Sequence, residues 1–76
     1  GAAARMAYNI NAGLEQVGFV NLGVNERPNL VVLNSTNMPA VLVEVGCINT
    51  DADNELFDSR FDEIARAIAD GILESV

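Results

Sequence analysis

The 76 residues contain no histidine, no lysine and no tryptophan, and a single cysteine, Cys47. The missing imidazole excludes Ser/His/Asp and Cys/His nucleophilic catalysis within this chain. Cys47 therefore has no histidine base to activate it and reads as a small buried residue. Alone it forms no internal disulfide, and it permits any redox compartment. Four Arg face eleven carboxylates, a formal charge of −7, so the concentrated basic surface that nucleic acid requires is absent. No apolar run approaches the roughly 18–20 residues of a membrane span. Gly1 to Ala4 followed by Arg5 lacks the basic-then-apolar layout of a signal peptide, and Gly1 reads as a cloning remnant. Gly13, Gly18 and Gly23 stand alone at five-residue steps, which matches no phosphate-binding loop.

Half of the residues are apolar, and their spacing is informative. Ala3, Met6, Ala7, Ile10, Leu14 and Val17 recur at three- and four-residue steps, the pattern of one helical face, and Gly18 is a stop signal. A polar stretch from Asn21 to Asn29, containing Pro28, reads as a loop. Leu30-Val31-Val32-Leu33 and Ala40-Val41-Leu42-Val43-Glu44-Val45-Gly46 read as two buried strands. The six residues between them suit an antiparallel pair, or two strands apart in a sheet completed by other segments. Asn49, Thr50 and Asp51 are N-cap candidates for a short helix over Ala52 to Phe57. Asp58 or Ser59 caps a last helix with the stripe Phe61, Ile64, Ala65, Ile68, Ile72 and Val76.

The expected order is helix, strand, strand, short helix, helix. This is an α/β fold, a fragment of a mixed-sheet domain. Two strands cannot cover two amphipathic helices, and residues 1–76 span about half a typical domain of roughly 100–200 residues. The chain therefore reads as a single partial domain, whose exposed strand edges offer a route to self-association.

Glu44 is the most informative side chain. It interrupts an apolar strand near its C-terminal end, where α/β sheets bind ligands. A carboxylate desolvated there holds its proton more readily and suits general acid/base work. The alternative is a carboxylate that reaches solvent or pairs with an Arg outside the chain. Asn34 to Asn37 present amides and hydroxyls that either serve a turn or bond an amide-rich ligand, with Asn37 the candidate substrate contact. Asp51, Asp53 and Glu55 have a superficial calcium-loop spacing without the required Gly and Glu; helix capping explains them.

The segment Leu30-Val31-Val32-Leu33-Asn34-Ser35-Thr36-Asn37-Met38-Pro39-Ala40-Val41-Leu42-Val43-Glu44-Val45-Gly46, with the later Ile64-Ala65-Arg66-Ala67-Ile68-Ala69-Asp70-Gly71-Ile72, resembles the C-terminal half of the zinc-dependent N-acetylmuramoyl-L-alanine amidases of the amidase-3 type. The resemblance runs along nearly the whole chain. Leu22 and Asn34 stand where that family usually has Arg. The resemblance implies a bacterial cell-wall hydrolase or autolysin acting on peptidoglycan, extracellular or in the cell wall or periplasm. Its reaction would be zinc-assisted hydrolysis of the amide between N-acetylmuramic acid and L-alanine, with Glu44 as catalytic acid/base. The implied zinc ligands, two His and one Glu, belong to the family's N-terminal half. This chain alone is thus expected to hold no metal and to be inactive. A non-catalytic peptidoglycan- or protein-binding module derived from the family is the competing expectation.

Overall fold

A computed structural model describes residues 1–27, 29–34, 37–45 and 51–76, without the side chains of Val32 and Asn34. Pro28, Ser35, Thr36, Cys47, Asn49 and Thr50, all named above, lie outside the described residues, as does Gly46. The elements are α1 (Ala2–Val17), the single turn α2 (Val31–Asn34), α3 (Asp51–Ser59) and α4 (Phe61–Leu73). The expected α/β fold is not what forms, since the described residues are helical or irregular and include no strand.

The correction has a local cause. A short apolar run fits a buried strand and a buried helical turn equally well by periodicity. A strand also needs a neighbour for its N–H and C=O groups. At 30–34 the chain satisfies them locally instead: Leu30 N–H donates to the Arg27 carbonyl at 3.2 Å and Leu33 N–H to that of Leu30 at 3.1 Å. Residues 40–45 keep the alternation of a strand without a ladder. Val41, Val43 and Val45 are half-buried while Leu42 and Glu44 are exposed. Self-association through strand edges accordingly has no basis among the described residues.

The centre of the fold is an antiparallel pairing of α1 with α4. Ile10 and Leu14 from α1, Ile64 from α4, and Phe19 form the buried cluster, with Met6, Val17, Val43, Val45, Leu56, Ala67 and Ile68 packed against it. The α1 face is the one its periodicity predicts. On α4 the contact face is Ile64, Ala67, Ile68 and Gly71, rotated from the expected stripe, so that Phe61 and Ile72 are left exposed. The two helices approach most closely at Gly71, where even a methyl group would meet the Ile10 backbone.

Each of these helices also receives an arginine from the other at its carbonyl end. Arg5 donates to the Ser75 carbonyl at 3.2 Å, and Arg60 to the Val17 carbonyl at 3.4 Å. Cations are favourable there because the last carbonyls lack intrahelical partners and carry the negative end of the dipole. Asn9 adds a bond to the Ser75 hydroxyl at 3.0 Å, and that hydroxyl donates to the Gly71 carbonyl at 2.7 Å. Ser75 is thereby buried with its polar atoms satisfied. At the start of α4, Arg60 is the N-cap residue and no side chain caps the helix; Ser59 closes α3 and donates to the Glu55 carbonyl instead.

Gly18 ends α1 as its position predicts. Its N–H donates to the Glu15 carbonyl at 3.1 Å, and the Phe19 N–H reaches back to Leu14 at 3.2 Å. This is the paired C-terminal bonding of a Schellman motif, completed by the packing of Phe19 and Leu14 in one cluster. Gly18 has φ of 133°, and a Cβ there would lie 3.2 Å from Leu56 Cδ2. Gly18→Ala is therefore expected to destabilise the chain by about 1–2 kcal/mol, measured by urea unfolding. Unchanged stability would show that the turn does not depend on this backbone conformation.

Candidate functional site

Glu44 follows Val43 and precedes Val45, both half-buried and packed against the helical core. The two valines anchor the segment while the intervening side chain is exposed. The carboxylate is thus displayed from a held stretch of backbone. The described residues do not bury Glu44, which lies against solvent as one of the alternatives for it has it. Asn37 and Met38 are exposed as well.

A groove of about 360 Å³ lies along α1 and α4, lined by Asn9, Gln16, Glu63, Arg66, Asp70 and Glu74 among others. A second, of about 280 Å³, is bounded by Glu26, Arg27, Asn29 and Leu30. Neither contains Glu44 or Asn37. The first follows from the helix pairing itself: the small residues Gly13, Ala67 and Gly71 bring the axes together and leave a furrow beside the polar flanks. Asp51 and Asp53 occupy the first turn of α3, where carboxylates favour the positive end of the dipole.

Two other polar arrangements escaped the sequence pattern. Asn21 Oδ1 accepts the Gly23 N–H at 2.8 Å. Asn11 Nδ2 bonds both Asn21 Oδ1, at 3.3 Å, and the Gly23 carbonyl, at 2.9 Å. The 21–23 loop is thereby fixed to α1 with Leu22 exposed. The second is the Arg5, Asn9 and Ser75 cluster. Polar spacing within single helices gives no sign of either, because both depend on which helix face meets which loop.

The donor set does not fit a zinc centre. Structural and catalytic zinc sites draw on His and Cys with occasional carboxylates. This sequence has no His and one Cys. Among the described residues no three Cys, Asp or Glu side chains converge on a common point.

The family model of the N-acetylmuramoyl-L-alanine amidases matches residues 2–74. The class is therefore that of hydrolases acting on the peptidoglycan of the cell wall. The chain belongs to the N-acetylmuramoyl-L-alanine amidase family, amidase-3 type. No curated protein and no solved structure matches the chain. Among the described residues, no helix is long and apolar enough to cross a membrane.

Proposed function

We propose that the chain is the C-terminal half of an amidase catalytic domain and contributes Glu44 as the proton-transfer carboxylate. The observation that carries this reading is the family match through the Glu44 segment, joined to a carboxylate displayed between two core-anchored valines. The reaction is hydrolysis of the amide between the lactyl group of N-acetylmuramic acid and L-alanine. Glu44 takes a proton from the attacking water and passes it to the departing L-alanine nitrogen. The C–N bond breaks, leaving a lactyl carboxylate and a peptide with a free amine. Asn37, which is exposed, is the proposed contact to the stem peptide. The enzyme would work in the cell wall, periplasm or extracellular space of a bacterium, as an autolysin-like hydrolase.

The zinc that the family resemblance implies would need ligands from outside this chain, since its own donors do not fit. The 76-residue chain is accordingly expected to show no tight 1:1 zinc binding in equilibrium dialysis and no release of stem peptide from muropeptides. Stoichiometric binding with turnover would overturn the partial-domain reading. The catalytic assignment is tested by Glu44→Gln in a complete domain, where activity should be lost and zinc retained. The exposure of Glu44, which neither groove includes, favours one competing reading, a non-catalytic module that binds peptidoglycan or a protein. In that case Glu44→Gln leaves binding to insoluble peptidoglycan unchanged, and no complete domain containing the chain releases stem peptide.

A further inference from the structure

Resting on the reading of Glu44 as the proton-transfer carboxylate, we infer that Val43 and Val45 are positioning residues that set its place for the reaction. Neither side chain meets the reacting atoms; both act through the backbone of Glu44. A general acid/base must be held within about 0.5 Å of its productive position. An exposed carboxylate on a loose segment does not meet that demand, so the backbone beneath Glu44 has to be fixed by its neighbours.

In a sheet, ladder hydrogen bonds do the fixing. Among the described residues no strand pairs with residues 40–45, which leaves side-chain packing. Val43 and Val45 are half-buried and packed against the cluster of Ile10, Leu14, Phe19 and Ile64, which α1, the residues just beyond it and α4 bring together. In extended backbone the two valines stand about 7 Å apart along the chain. A contact at one of them alone would be a pivot. Contacts on both sides of Glu44 hold it against sliding and against rotation. Branching at Cβ leaves each valine few χ1 rotamers, so the packed side chain transmits its position to the backbone.

Val17 supplies the comparison. It too is half-buried and packed against the same cluster. It lies on α1, whose own hydrogen bonds hold its backbone. Truncating Val17 to Ala therefore takes the same apolar bulk from the same core without releasing the Glu44 segment.

The test compares Val43→Ala, Val45→Ala and Val17→Ala in a complete domain containing this chain. In the first two, kcat for a muropeptide is expected to fall about 10–100-fold with KM nearly unchanged; in Val17→Ala it should stay near the wild-type value. Val45→Ile, which keeps the branched anchor, should retain most of the activity. Added to Glu44→Gln, Val45→Ala should cost nothing further, because the valine acts only through the carboxylate. In the 76-residue chain, the NMR order parameter of the Glu44 amide is expected at about 0.85 and to drop below about 0.6 when both valines become Ala, with circular dichroism confirming that the helices persist. The wild-type order parameter decides even where an alanine variant unfolds: a mobile Glu44 amide overturns the proposal. A loss of kcat in Val17→Ala equal to that in Val45→Ala overturns it as well. Failure of the Glu44 reading looks different, since Glu44→Gln is then as active as the wild type while the Glu44 amide remains rigid.

Discussion

Glu44→Gln in a complete catalytic domain containing this chain is expected to lower kcat by about 10²–10⁴-fold, the usual contribution of a positioned acid/base. Gln keeps the shape and a hydrogen-bonding carbonyl but cannot carry the proton from water to the leaving nitrogen. An interaction made only in the transition state lowers kcat and kcat/KM together, so KM for a muropeptide should change little. Misfolding is a poor explanation for such a loss, because Glu44 is exposed and surface substitutions usually alter stability by less than about 0.5 kcal/mol. Zinc content of the domain should remain at the wild-type level. Loss of zinc along with activity would instead place Glu44 among the metal's ligands, and near-normal turnover would remove it from the mechanism. Glu44→Asp, which keeps the carboxylate and shortens its reach, should fall between the wild type and Gln.

The helices were legible where one residue carries a local signal that no neighbour overrides. Gly18 marks the end of α1, and the Ile10 and Leu14 spacing marks its buried face. The pair Asp51 and Asp53 marks the first turn of α3. Residues 30–34 were not legible, because four apolar residues in a row carry no periodicity and the choice between strand and helical turn falls to neighbours. The α4 contact face was misplaced for a related reason. Phe61, Ile72 and Val76 have the larger hydrophobic signal, but α1 packs against Ala67 and Gly71, whose contribution is the absence of bulk. Hydrophobic periodicity rewards large side chains and is blind to a close approach made by small ones. Glu44 was legible as the odd carboxylate in an apolar segment. Whether it is desolvated or reaches solvent was left open by the segment, since that depends on what covers it, and among the described residues nothing does.

The small-residue contact leads to the second large effect. Gly71→Ala is expected to destabilise the chain by about 1–3 kcal/mol, in the range measured for overpacked cores. Two terms oppose each other. In a helix interior Ala is favoured over Gly by about 1 kcal/mol, through propensity and the reduced freedom of the unfolded chain. Against this, the new Cβ would lie 2.6 Å from Ile10 Cγ1, 2.8 Å from the Ile10 nitrogen and 2.9 Å from its Cα. A side-chain tip can rotate away, but the backbone nitrogen and Cα move only if α1 moves. That shift would part Ile10 and Leu14 from Ile64, and these residues form most of the buried cluster. It would also strain the Asn9 bond to Ser75 and the Arg5 bond to the Ser75 carbonyl, one turn further along the same helix pair. The steric term therefore wins. In a chain of this length the loss corresponds to a fall in melting temperature of about 4–8 °C per kcal/mol, followed by circular dichroism at 222 nm. Gly13→Ala is the internal control. Its Cβ would approach Ala67 Cβ at 3.3 Å, a contact relieved by a few tenths of an ångström, so the helix-propensity gain should leave stability within about 1 kcal/mol of wild type. If Gly71→Ala proves as stable as Gly13→Ala, the close crossing of α1 and α4 at Ile10 is wrong.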